Sequence, residues 1–278
     1  MAITTLDATI AGAQPPVFIT KAITPTLVAG RPASLWYLAG APGAGTLDTT
    51  TSGGVALSST SAQVAGQIRH INPGSGNSYL ARLAATATQS GLLLLCDRLL
   101  HCGFQTSTSA AIVVTTTTAQ TLNTATLPAR DLAGGTTGLG VYAALEVSSA
   151  TGAGAATPTI SYTDTALGSA QTGAMQQAYV ASSAAGAFYP FTLAAGGTGV
   201  ASVQSVTLGV SMTSGTVGIV LYRVLAALEI VGPYVPNAID ALTSGFPQIY
   251  NGCVPFLVFI PNTTTASYIS GSYVETQG

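Results

Sequence analysis

Hydrophobic and polar positions along this chain alternate in short runs, bounded by glycine, proline and threonine. Tyr79 to Thr88 and Leu92 to Leu100 are two such runs, broken by Gln89-Ser90-Gly91, and the spacing predicts a hairpin. A helix competes for the first run, because Ala81, Leu83, Ala84 and Ala87 favour it and Asn77 or Ser78 would cap it. Thr86, Thr88 and Gly91 would then fall inside the helix and Leu92 to Leu95 has no polar face, so the strands are preferred. Further strands are expected at Ala111 to Thr118, Val141 to Val147, Pro158 to Thr163, Phe188 to Leu193, Val203 to Val210, Val217 to Ile230, Pro255 to Ile260 and Tyr268 to Val274. Thr213-Ser214-Gly215 between Val203–Val210 and Val217–Ile230 reads as a second hairpin.

No long amphipathic helix and no fixed-period repeat interrupts this series. The expected fold is all-β, an antiparallel β-sandwich or jelly roll. Residues 1–30 hold Pro15, Pro16 and Pro25 and read as an extended N-terminal arm. Residues 31–278 are then the sandwich, with a possible division into two subdomains near 105–110.

Composition sharpens this. Ala, Gly, Ser and Thr make up roughly half the chain, and charged residues 6%, against about 25% in ordinary soluble proteins. With 47% hydrophobic residues the chain is not of the disordered type. Seven Lys and Arg at net charge −2 build no groove for nucleic acid. A membrane-spanning helix is not expected either: the longest apolar stretch, Gly215 to Gly232, contains Arg223 and Glu229. Met1 to Ala13 carries no basic segment followed by an apolar one, so no signal peptide is expected, and Cys96, Cys102 and Cys253 read as free buried thiols. Without export, the sequon at Asn262 has no consequence.

Candidate chemistry is sparse. Cys96, Asp97, Arg98, His101 and Cys102 cluster, but on a strand Cys96 and His101 face opposite ways, and the cysteine spacing suits no usual zinc site, even with Cys253 added. His70 precedes a turn at Asn72-Pro73-Gly74 and is expected to be structural. Asp48-Thr49-Thr50 and Asp164-Thr165-Ala166 lack the glycine of the aspartic protease motif. Glu146 and Glu229 lie on strand-like runs as a conceivable glycosidase pair, although pairing with an arginine such as Arg223 is the plainer reading. The loop with Gly40, Gly43 and Gly45 lacks the following helix and the lysine of a phosphate cradle. No catalytic residue, cofactor or metal is therefore expected.

Several segments resemble structural proteins of tailed bacteriophage virions, in particular jelly-roll proteins that decorate or cement the capsid. They are Ser78-Tyr79-Leu80-Ala81-Arg82, Cys96-Asp97-Arg98-Leu99, Leu127-Pro128-Ala129-Arg130-Asp131 with its glycine-rich turn, Ser202 to Val224, and Pro255 to Gly278. The resemblance implies a non-enzymatic virion protein on the capsid surface, assembled in the host cytoplasm. It implies a homo-oligomer, a trimer, whose other partner is the major capsid protein, with no nucleic acid or membrane partner. Residues 1–30 would then reach a neighbouring subunit or the shell. The alternatives are a tail fibre, spike or neck protein, with Trp36, Tyr37, Tyr234 and Tyr250 as sugar-stacking candidates, and a β-sandwich glycan hydrolase.

Overall fold

A computed structural model describes residue 3 and residues 5–278. Along the chain it forms α1 (Leu6–Ala11), β1 (Val17–Lys21), β2 (Ala33–Ser34), β3 (Gly40–Ala41), β4 (Val55–Ala56), β5 (Ser78–Ala87), β6 (Gly91–Cys102), β7 (Phe104–Gln105), β8 (Ala110–Ala111) and β9 (Gln120–Thr121). There follow β10 (Tyr142–Ser149), β11 (Thr159–Asp164), β12 (Gly168–Ala174), β13 (Phe188–Pro190), β14 (Val200–Thr207), β15 (Thr216–Ile230), β16 (Asn237–Asp240), β17 (Gln248–Ile249), β18 (Pro255–Pro261) and β19 (Ile269–Gln277). The fold is all-β and antiparallel, as the alternation predicts.

Two compact units share the chain, one built from residues 1–45, 58–97 and 224–278, the other from 46–57 and 98–223. Two of the passages between them fall within strands, after Asp97 in β6 and after Arg223 in β15. A division inside a strand leaves no loop or linker in the sequence to mark where it falls.

In the first unit a sheet runs β16-β5-β19-β1-β3, with β17 also on β5. Its inward face is set by period-two alternation: Val17, Tyr273, Leu83 and Ile239 stand opposite one another in register. They pack in one core with Leu93, Leu95, Leu257 and Phe259, the last four from the paired strands β6 and β18. In the second unit the sheet β12-β11-β14-β9 contributes Ile160, Tyr162, Val203 and Val206 to a core shared with Leu145, Val147, Ile219 and Leu221, which lie on the paired strands β10 and β15.

Both expected hairpins are strand pairs in sequence but not in space. β5 pairs with β16, β17 and β19, and β6 with β18, so the turn at residues 88–90 carries the chain from one sheet to another. β14 pairs with β11 and β9, whereas β15 pairs with β10. A short turn reverses the chain but does not decide whether the returning strand lies beside its predecessor or across the core from it. Tight hairpins occur instead at β7–β8 and at β11–β12; in the second, the Asp164 carboxylate accepts the amides of Ala166 and Leu167.

Residues 1, 2 and 4 of the expected arm lie outside the described residues. Of the rest, α1 is capped by Thr5 and buries none of its residues. Beyond Pro15 and Pro16, Val-Phe-Ile-Thr-Lys alternates and becomes β1, paired with β19 on one side and β3 on the other. Ile19 and Leu27 are buried in the core of the same unit.

Candidate functional site

The few charges of this protein are mostly engaged inside it. Arg98 on β6 and Glu146 on β10 are both fully buried. The guanidinium donates through Nη1 to Glu146 Oε1 at 3.0 Å and through Nη2 to Oε2 at 2.6 Å, a bidentate geometry that uses both carboxylate oxygens. Nη2 also lies 3.3 Å from His101 Nδ1. Burial, and then the Arg98 charge, push the His101 pKa down to about 3 against a weaker opposing pull from Asp48, so the ring is neutral and accepts. Arg130 Nη1 donates to the Leu57 carbonyl at 3.0 Å.

A second buried group ties β19 to the loop before β5. Glu275 Oε1 lies 2.7 Å from His70 Nδ1 and accepts a short hydrogen bond from the Tyr273 hydroxyl. Burial first, and Glu275 next, hold the Tyr273 phenol well above its usual pKa, so it stays a donor. Gln63 grips the His70 backbone at both its amide and its carbonyl, and Gln277 Nε2 donates to the Ile71 carbonyl at 2.6 Å. His70 is thus a structural tether. The period-two step from Tyr273 to Glu275 is visible in the sequence; the partner 205 residues away is not.

Three other acids are loop staples. Asp48 accepts the amides of Thr50 and Thr51. Asp131 accepts those of Ala133, Gly135, Thr137 and Gly138 and the Thr137 hydroxyl. Asp240 accepts those of Leu242 and Thr243. Burial raises the Asp131 pKa, but its hydrogen bonds outweigh this and leave the group below the usual carboxylate range.

Each sequence-derived candidate can now be placed. Cys96, Cys102 and Cys253 are free and buried. Burial drives the Cys96 thiol pKa upward, and also raises that of Cys102, whose Sγ donates to the Phe104 carbonyl. Both are the reverse of a reactive thiolate. Among the described residues no group of three or more His, Cys, Asp or Glu is arranged to hold a metal. Glu146 belongs to one unit and Glu229 to the other. Glu146 has both oxygens on Arg98, while Glu229 is exposed. Arg98 on β6 is an arginine that pairs with both oxygens of Glu146.

The glycine-rich loop does meet a lysine, which sequence spacing could not reveal. Lys21 Nζ reaches it from β1 and donates to the carbonyls of Leu38 and Pro42 at 3.2 and 2.9 Å. Burial lowers its pKa to about 8. The ammonium therefore anchors the loop backbone. Gly45 and Gly66 press on the Trp36 indole, which is 1% exposed and stands edge-on to Phe256. Trp36 is a core anchor, and Tyr37 and Tyr250 are half-buried, leaving Tyr234 as the exposed member of the sugar-stacking set.

A cleft of about 460 Å³ opens in the second unit between residues 155–159 and 174–179. Its walls are alanine, threonine, proline, methionine and glutamine, with Tyr179 as the one ionisable side chain, and that hydroxyl is bonded to Thr151. It offers neither a nucleophile nor an acid–base pair.

The remaining candidates are surfaces. On the outer face of the first unit's sheet, Phe18, Ser272, Ala84 and Ala238 stand opposite one another across four strands. Phe18 is 73% exposed, and Leu6 and Ile10, one turn apart on α1, are 73% and 65% exposed.

No family model matches the chain, and no curated protein does. Among solved structures, it is similar to the crystal structure of infectious bursal disease virus VP2 subviral particle, over 96% of this chain and 80% of that one, at 9% identity and a TM-score of 0.20. It is also similar to the structure of infectious bursal disease virus Gx strain, over 94% and 80%, at 9% identity and a TM-score of 0.19. Likeness at this level leaves function to be argued from the chain's own residues.

Proposed function

We propose that this protein is a non-enzymatic structural component of a bacteriophage virion, a capsid decoration protein that binds the outer shell and stabilises it through contacts between subunits. Its partners in this reading are copies of itself, as a trimer, and the major capsid protein. Neither nucleic acid, membrane nor cofactor takes part, and the protein resides on the capsid surface after assembly in the host cytoplasm.

The observation that carries the reading is the N-terminal segment. A six-residue helix that buries none of its residues fully, held to β19 by the Thr276 hydroxyl on the Thr9 carbonyl, presents Leu6 and Ile10 outward on one face and is suited to burial against another protein. Phe18 extends that apolar character onto the outer sheet face, where its neighbours are small and uncharged. The engagement of buried Arg98, Glu146, His70, Glu275 and Lys21 in structural contacts supports the non-enzymatic part.

The test is attachment to purified shells lacking this protein. Removing residues 1–11 leaves β1 in place, so the core should fold while shell binding is lost. A truncated chain that saturates shells as the full chain does would overturn the assignment of this segment.

A further inference from the structure

We infer that Asn251-Gly252 is a site of spontaneous deamidation, and that Asn72 is the clamp that slows it by holding the Gly252 amide. The chemistry lies within the chain and needs no partner. Asn77, Asn123, Asn237 and Asn262 precede Ser, Thr, Ala and Thr, Asn72 precedes Pro73, and only Asn251 precedes a glycine. A glycine nitrogen has no Cβ beside it to obstruct attack, so it closes a ring on the preceding side chain more readily than other residues do.

The reaction balances with water alone. Gly252 N attacks Asn251 Cγ; the new N–Cγ bond forms as the Cγ–Nδ2 bond breaks, the glycine amide proton passes to solvent base, and ammonia leaves. Water then opens the cyclic imide. Breaking the bond between Cγ and nitrogen yields aspartate. Breaking the bond between the backbone carbonyl carbon and nitrogen yields isoaspartate, which lengthens the main chain.

The electrophile is open and the nucleophile is engaged. Asn251 is exposed, in a turn closed by Cys253 N on the Tyr250 carbonyl at 3.0 Å. Gly252 holds the third position of that turn at φ +79°, a conformation that favours glycine. Gly252 is buried, however, and its N–H donates to Asn72 Oδ1 at 2.6 Å. Ring closure requires that proton to leave and the peptide plane to turn toward Cγ, and the hydrogen bond opposes both.

The clamp is itself braced. Asn72 Nδ2 donates to the Ser59 carbonyl at 2.8 Å, Ser59 N to the Gly252 carbonyl at 3.1 Å, and Ser59 Oγ to the Cys253 carbonyl at 2.7 Å. Asn72 is immune to the same ring closure, because Pro73 has no N–H to lose. What the clamp protects lies close by. Val254 N donates to Asp97 Oδ1 at 3.0 Å, and β18 begins at Pro255, paired with β6. Isoaspartate at position 251 would lengthen the chain just before that pairing, and either product adds a negative charge to a chain of net charge −2.

The experiment incubates the full chain in warm, mildly alkaline buffer made with heavy-oxygen water and maps label uptake by peptide mass spectrometry. Folded wild type is compared with Asn72→Ala, which removes the acceptor, and with Asn72→Asp, which keeps it. Asn251→Gln is the blank, and Trp36 emission with circular dichroism reports whether each variant is folded. The expected result is a rate at Asn251 about fivefold or more higher in Asn72→Ala, the equivalent of one hydrogen bond, and close to wild type in Asn72→Asp. A folded Asn72→Ala no faster than wild type, or an Asn72→Asp as fast as Asn72→Ala, would overturn the clamp. Wild type in strong urea, where the clamp is released, covers the case of an alanine variant that does not fold. There Asn251 should take up label before every other asparagine, at about five times its rate in the folded chain or more. Label appearing first at another asparagine would overturn the site, and equal rates in the two states would overturn the clamp.

Discussion

Replacing Glu146 by glutamine should destabilise the second unit by about 3–5 kcal/mol, the range for removing one partner of a buried ion pair. The magnitude follows from the geometry. Arg98 and Glu146 are both fully buried and joined by two hydrogen bonds, so the substitution leaves a buried guanidinium facing an amide that cannot match it. A typical domain has only about 5–15 kcal/mol to lose, so the midpoint of chemical unfolding should move well outside experimental error. Arg98→Met combined with Glu146→Leu removes both charges and should recover most of the loss. Urea titrations of the wild type, both single variants and the double variant give the coupling directly. A single-variant loss under about 1 kcal/mol, or a double variant worse than the sum of the singles, would refute the view that this pair is a closed, mutually compensating unit.

Lys21 is charged at neutral pH in a site that disfavours the charge, because burial lowers its pKa from 10.5 to about 8. The unfolded chain binds the extra proton between those values, so stability should rise as pH increases from about 8 to about 10.5, and Lys21→Met should abolish that slope in pH-dependent melting. Asp131 gives a slope of the same sign in the acid range: its pKa is lowered in the fold, so its contribution is present above the unfolded carboxylate pKa and fades as pH falls. Asp131→Ala should cost about 2–4 kcal/mol at neutral pH and flatten the acid limb of the stability profile. Gly45→Ala would set a Cβ 2.3 Å from the Trp36 ring. Displacing that indole should cost about 1–3 kcal/mol and shift the emission of the single tryptophan to the red.

Strands were legible in the sequence because alternation is a local signal. Ser78–Ala87 alternates on either side of one irregularity at Ala81-Arg82, since one face of β5 meets the core, and Val217–Ile230 reads as one long strand because β15 is buried along most of its length. Partners were not legible. Gln89-Ser90-Gly91 and Thr213-Ser214-Gly215 look like hairpin turns from their residues, and both join strands of different sheets. The same limit applies to the charged groups. Arg98 lies 48 residues from Glu146, and His70 lies 205 from Glu275, so only the fold brings them together. By contrast, Asp131-Leu-Ala-Gly-Gly-Thr-Thr-Gly shows its loop staple locally, as an acid followed by residues that leave their amides free to turn toward it.

The pairing of β1 with β19 sets a clock on biosynthesis. Val17 finds its register partner only at Tyr273, and Ala13 its partner only at Thr276, so the central strands of the first unit's sheet cannot close until the chain has been made through these residues. Until then β5 and β1 lack the strand that lies between them, and the faces proposed for docking have no finished scaffold to present them. In the proposed role, nascent chains crowded on one message would thereby be kept from premature mutual capture, and competence to assemble would arrive as a single late event rather than by degrees.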